Sequence, residues 1–205
     1  KDLSDELIVC FGTLEKLCHH IHLPVQCGSD RILDAMNRGY HRADYLAKVT
    51  RLKRVCPDIR LTTDVIVGFP GETESDFAET LDLVAQVGYA DAFTFLYSKR
   101  TGTAAAELDD GLQAAEKQKR FDRLLELQQK NSDDIWRSDL GRELEVLVEG
   151  ESKQGDGQVF GRTTWNRIVN FTGSADLIGQ LVKVRITKVF RNSNLGELLE
   201  ANSYQ

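Results

Sequence analysis

The chain has 205 residues, of which 41% are hydrophobic and 28% charged, with a net charge of −6; this composition describes an ordinary globular protein of one or two domains. No apolar run approaches the ~20 residues that span a bilayer, and the opening Lys1-Asp2-Leu3-Ser4-Asp5 lacks the basic-then-apolar character of a signal peptide, so a cytoplasmic location is expected. The only methionine, Met36, is internal, and the translated protein is therefore expected to begin upstream.

Helices alternate with short apolar strands over the first hundred residues. Ile21 to Val25 reads as a strand and Gln26 to Ser29 as the turn after it. Arg31 to Asn37 makes a short helix that Gly39 can terminate. Tyr45, Val49 and Leu52 fall at i, i+4 and i+7, the stripe of an amphipathic helix that stops before Pro57. The β-branched run Leu61 to Val67 predicts a strand buried on both faces. Thr73 and Asp76 have the spacing of a capping box; Phe77, Leu81, Val84 and Val87 then form one apolar stripe, closed by Gly88. Asp91 to Tyr97 supplies a third strand. The strand–helix order predicts a parallel sheet of α/β type, with too few strands to close a barrel.

A long charged helix follows at 113–137, with Phe121, Leu124, Leu125 and Leu127 as its apolar contacts. Beyond Gly141 the texture becomes all-β. Short strands at Leu144–Val148, Val159–Arg162, Ile168–Phe171, Leu181–Val189 and Glu197–Glu200 suggest a small five-stranded barrel resembling an OB-fold. The boundary is placed near 140, giving domains 1–140 and 141–205.

Cys10, Cys18, Cys27 and Cys56 are too widely spaced for a CxxC zinc site or the close triad that holds an iron–sulfur cluster. Reduced thiols and no metal site are expected. The acidic excess lies in residues 1–140. Residues 160–191 instead hold Arg162, Arg167, Lys183, Arg185, Lys188 and Arg191 against one acid, Asp176, a pattern open to two readings: a nucleic-acid footprint or a solvated barrel surface.

Two strand-end strings carry the sharpest signals, HLPVQCGSDRILDAMNRGY at 22–40 and TTDVIVGFPGETESDF at 62–77. In α/β sheets ligands lie beyond the carboxyl ends of strands, and Gly68 and Gly71 permit close backbone approach. Both strings resemble the later strands of radical-SAM methylthiotransferases, and Tyr97 to Ala105 resembles a loop of the same enzymes. Val148–Lys153 (VEGESK) and Gly161–Phe171 (GRTTWNRIVNF) are similar to the TRAM domain of the tRNA-modifying branch. The fold class implied is a partial radical-SAM (βα) barrel followed by an OB-like TRAM β-barrel.

The resemblance implies an enzyme that cleaves S-adenosylmethionine on a cysteine-ligated [4Fe–4S] cluster and takes sulfur from a second cluster. Such an enzyme adds a methylthio group to C2 of N6-isopentenyladenosine beside the tRNA anticodon. Gln26, Arg38 and Asp64 match positions that contact S-adenosylmethionine, with Gly68 beside them. An Asp can accept ribose hydroxyls, an Arg can grip a carboxylate and a Gln can bond in either sense. Each has a plainer reading: a strand-capping Gln26, an exposed helix-end Arg38, an Asp64 paired with a neighbouring Arg. His22 reads as structural. For the barrel, Lys153, Arg162, Arg167, Lys183 and Arg185 suit phosphate contacts with an anticodon stem-loop, and Trp165 suits base stacking or packing in the barrel. The CxxxCxxC motif does not occur, so an N-terminal domain of the same protein is expected to hold the clusters, and the chain alone is expected to be inactive. Sister readings are methylthiolation of threonylcarbamoyladenosine or of a ribosomal protein, and, from a different class, a non-catalytic RNA-binding module.

Overall fold

Ser4 opens the first helix, its side chain accepting from the Leu7 amide at 3.3 Å, with Asp5 and Glu6 in the first turn where the helix dipole favours them. The computed structural model describes residues 3–108, 111–153 and 157–201, without the side chains of the last two. It forms two units, Lys1–Glu15 with Ile21–Ser132 and Lys16–His20 with Asp133–Gln205. They divide within the long helix, whereas the boundary read from the sequence lay near 140.

The first unit begins with α1 (Asp5–Thr13), which the sequence reading did not foresee. Then follow β1 (His20–His22), α2 (Asp30–Ala35), α3 (Arg42–Val55), β2 (Arg60–Val67), α4 (Glu74–Val87), β3 (Asp91–Leu96) and α5 (Ala114–Arg137). The sheet order is β1-β2-β3, and β2 and β3 pair in parallel. β1 is shorter than the expected Ile21–Val25 strand; Pro24 has no amide to give the ladder.

Helix ends follow local chemistry. Thr73 and Asp76 form the capping box read from their spacing, and Gly88 ends α4 in the left-handed region at φ 64°. α2 ends differently from the expectation at Gly39. Asn37 takes the left-handed position at φ 56°, and the amides of Asn37 and Arg38 reach back to Asp34 and Leu33 at 2.9 Å, a Schellman closure.

β2 also departs from the expectation of burial on both faces. Leu61, Val65 and Val67 are buried with Thr63 among the core side chains Val25, Phe77, Leu83 and Val84, whereas Thr62, Asp64 and Ile66 on the other face are only half-buried. On α4, Thr80 and Leu83 join Phe77, Val84 and Val87 in the buried stripe, and Leu81 lies at its half-buried margin.

The second unit is a closed barrel of β4 (Glu143–Glu151), β5 (Gln158–Thr163), β6 (Ile168–Thr172), β7 (Leu181–Val189) and β8 (Asn194–Ala201), in the order β4-β5-β6-β8-β7. All neighbours are antiparallel except β6 and β8. Val146, Val148, Val159, Val169, Phe171, Val182, Val184 and Ile186 fill the interior, every second residue along their strands. Gly161 is required there, since a Cβ would lie 2.2 Å from the Leu147 carbonyl oxygen. No helix among the described residues is long and apolar enough to cross a membrane.

Candidate functional site

At the carboxyl edge of the sheet, pairing brings Gln26 beside Asp64. The Gln26 amide donates to the Asp64 carbonyl at 2.9 Å, and the Gln26 carbonyl accepts from Ile66 at 2.8 Å. The Gln26 backbone is left-handed, φ 68°, a conformation costing of order 1 kcal/mol for a residue with a Cβ, and it is buried. Asp64 projects onto the half-buried face with 28% of its side chain exposed, and its carboxylate lies 3.4 Å from His22 Nε2. The partner is thus a histidine, not the arginine that the plainer reading supposed. His22 Nδ1 contacts Thr62 Oγ1 at 3.0 Å, and its ring meets Phe93 edge-on at 6.0 Å. Phe93 stands opposite Asp64 in the β2–β3 register. Phe93 and Phe95 are more than half exposed, so this face joins a histidine–carboxylate pair to uncovered aromatic rings.

Arg38 and Gly68 stand differently. Arg38 is exposed beyond α2, and among the described residues no contact joins it to Gln26 or Asp64. Gly68 is left-handed at φ 75°, and a Cβ there would lie 2.7 Å from Lys117 Cγ. Its amide donates to Glu72 Oε2 at 3.0 Å, and that carboxylate is bound by Arg120 at 3.0 Å. Both side chains of this ion pair are almost fully buried. Burial pushes the Glu72 carboxyl up, and the hydrogen bonds from Arg120 and Gly68 oppose it. The need for glycine at 68 is therefore met by Lys117 and the turn itself.

The four cysteines are free. Burial raises the Cys27 thiol, which touches Thr80 Oγ1 at 3.3 Å, and pushes Cys56 up to about 11; both stay protonated at neutral pH.

On the barrel the sequence-picked residues fall into three groups. Trp165 and Arg167 are both buried, at 4% and 6% exposure. The Arg167 guanidinium donates to the carbonyls of Phe190, Arg191 and Ser193 and to Asn194 Oδ1, and lies 4.4 Å over the Trp136 ring. The Arg142 guanidinium covers Trp165 at 4.9 Å. Their burial follows from packing between chain segments, which the string GRTTWNRIVNF does not disclose.

Arg162, Lys183 and Arg185 are exposed or half-exposed but face acids. Arg162 pairs with Glu149 at 3.1 Å and Arg185 with Glu143 at 2.6 Å. Lys183 stands across from Glu145. Lys153, Lys188 and Arg191 are exposed, with no ion-pair partner among the described residues. The acids come from β4, far in sequence from β7, so a local count of charges overstates how basic this surface is.

Comparison with known proteins places both units. Residues 11–84 match the Radical SAM superfamily and residues 137–199 the TRAM domain. The tRNA-2-methylthio-N(6)-dimethylallyladenosine synthase of Syntrophotalea carbinolica is 57% identical over 96% of the chain and 45% of its own length. The proteins of the same name from Acetivibrio thermocellus and Geotalea uraniireducens are 54% and 51% identical, over 92% and 97% of the chain. The chain thus spans less than half the length of these relatives. Among solved structures, the radical SAM enzyme coproporphyrinogen III oxidase from Escherichia coli superposes with a TM-score of 0.49 at 15% identity, over 83% of this chain and 41% of that one. The chain joins a segment that matches the Radical SAM superfamily to one that matches the TRAM domain, and relatives similar to it over almost all of its residues are named tRNA-2-methylthio-N(6)-dimethylallyladenosine synthases.

Proposed function

We propose that the chain belongs to a cytoplasmic tRNA-modifying enzyme that adds a methylthio group to C2 of N6-isopentenyladenosine beside the anticodon. The observation that carries this reading is the 57% identity, over 96% of the chain, to a protein named for that product.

S-adenosylmethionine held on a [4Fe–4S] cluster supplies a 5′-deoxyadenosyl radical in such chemistry, and a second cluster supplies sulfur; the protein binds and orients. The residues present fit one wall of that site. The Asp64 carboxylate is accessible on the uncovered sheet face, held in place by His22, and can accept both hydroxyls of a ribose. Gln26, joined to Asp64 through the backbone, stiffens the strand end from which that carboxylate projects. Arg38 offers an exposed guanidinium for a carboxylate, and Gly68 holds the turn after β2. The buried, protonated Cys27 and Cys56 are poor thiolate donors. On this reading the cluster ligands come from an N-terminal domain, and the 205 residues alone do not turn over.

The test uses the full-length protein, reconstituted with iron and sulfide and given S-adenosylmethionine and tRNA carrying N6-isopentenyladenosine. Nucleoside mass spectrometry is expected to find the 2-methylthio derivative. Asp64→Asn is expected to weaken S-adenosylmethionine binding by about 10-fold, the worth of a charge-assisted hydrogen bond. Product only on threonylcarbamoyladenosine or on a ribosomal protein reassigns the substrate, and product on none of the three overturns the reading.

A further inference from the structure

Phe190 is an exposed aromatic of the barrel, outside the segments similar to the TRAM domain that VEGESK and GRTTWNRIVNF mark. It is 53% exposed and lies just after β7, in the loop that leads to β8. Along β7 the outward residues begin as Leu181, Lys183 and Arg185, alternating with buried Val182, Val184 and Ile186. A register shift between Ile186 and Lys188 then moves the strand by one residue, so Lys188 and Phe190 become the exposed pair while Thr187 and Val189 turn half-inward. A bulge of this kind re-aims side chains.

The loop is held from beneath. The buried Arg167 guanidinium binds the carbonyls of Phe190, Arg191 and Ser193, and the Phe190 amide donates to the Ser193 carbonyl at 2.8 Å. This fixes the backbone under an apolar ring that is more than half exposed. Two cations flank the ring in sequence, Lys188 and Arg191, and no acid occurs between Asp176 and Glu197. Among the candidate cations of the barrel these two, with Lys153, are the exposed ones without an ion-pair partner among the described residues. A flat ring between two unneutralised cations matches an unpaired nucleobase flanked by phosphates. A protein partner would be expected to meet a broader apolar patch.

We infer that the β7–β8 loop is an RNA-stacking site in which Phe190 stacks on an unpaired base while Lys188 and Arg191 contact the neighbouring phosphates. The inference rests on the proposal that the partner is tRNA.

The experiment titrates the whole 205-residue chain with a labelled stem-loop RNA bearing an unpaired loop, and with a fully paired duplex of equal length, by fluorescence anisotropy. The wild type is expected to prefer the stem-loop. Phe190→Ala is expected to weaken stem-loop binding by about 10-fold, leave duplex binding and the salt dependence as they were, and unfold at the wild-type temperature; Phe190→Tyr restores binding. Lys188→Ala and Arg191→Ala are each expected to lower the salt slope by about 0.7. As a measurement independent of variants, 4-thiouridine in the loop is expected to cross-link to the peptide containing Phe190. Wild-type affinity in Phe190→Ala, an equal loss on stem-loop and duplex, or cross-links confined to other peptides would overturn the stacking site alone. A wild-type chain that binds neither RNA removes tRNA as the partner of this barrel and the inference with it.

Discussion

Asp76 shows how much one carboxylate can hold. It accepts from the Thr73 amide at 2.8 Å, from Ser29 Oγ at 2.7 Å and from Arg31 Nε at 3.3 Å. Burial alone would raise its pKa, but the hydrogen bonds from Arg31, Ser29 and Thr73 outweigh it and hold the carboxyl well below the usual range. A carboxyl whose folded pKa lies below its unfolded value of about 3.9 adds stability above that pH and loses it as the pH falls through the folded value. Asp76→Asn is therefore expected to lower stability at neutral pH by about 2 kcal/mol, and to flatten the loss of stability below about pH 4. Urea unfolding at neutral and acidic pH reads both; equal midpoints for variant and wild type at pH 7 would refute it. The sequence announced the Thr73–Asp76 half of this network, because a capping box is local. Ser29 and Arg31 come from the start of α2, and nothing in their spacing pointed to Asp76. The same limit explains Gly68: its left-handed backbone was legible as a glycine position, but not that Lys117, 49 residues away, fills the space beside it.

Among the elements, α5 is tied to the β2–α4 turn by the buried Arg120–Glu72 pair. Arg120 also donates to the Glu72 carbonyl at 3.1 Å and to the Thr73 carbonyl at 3.3 Å. Removing the cation strands an acid whose side chain is 1% exposed, and such losses cost about 3–5 kcal/mol. Arg120→Met is expected to fall in that range by denaturant unfolding, and adding Glu72→Gln to recover part of it. A double variant no more stable than the single would show that the loss lies in α5 packing instead. Element existence and type were readable where periodicity was long: α4, α5 and the alternating barrel strands. Faces and exact ends were not. β2 looked buried on both sides because Val65, Ile66 and Val67 are all apolar, yet which of them is covered depends on layers that adjacent residues do not specify. The β7 shift was equally hidden, since no glycine marks it, and with it went the exposure of Phe190.

At the scale of the molecule, charge is the property that composition described worst. The chain is acidic overall, and Arg162, Arg167, Lys183, Arg185, Lys188 and Arg191 looked like an island within it, with Lys153 upstream as a seventh cation. Folding sorts them: Arg167 turns inward, Arg162 and Arg185 meet Glu149 and Glu143, and Lys183 faces Glu145. Exposed pairs of this kind are worth little to stability, but each acid cancels much of the field that a phosphate would feel, and the net charge of −6 adds long-range repulsion. Lys153, Lys188 and Arg191 remain. Each phosphate neutralised on single-stranded RNA contributes about −0.7 to the slope of log K against log salt, so three such cations predict a slope of about −2. If all seven engaged, the slope would be near −5. Titrating the chain with stem-loop RNA across a range of salt concentrations separates these cases. A slope near −5 would mean that the ion pairs with Glu143 and Glu149 open on binding and that RNA covers the β4–β7 face. A slope near −2 confines the phosphate contacts to Lys153, Lys188 and Arg191, where discrimination has to come from stacking and shape because so few phosphates are held.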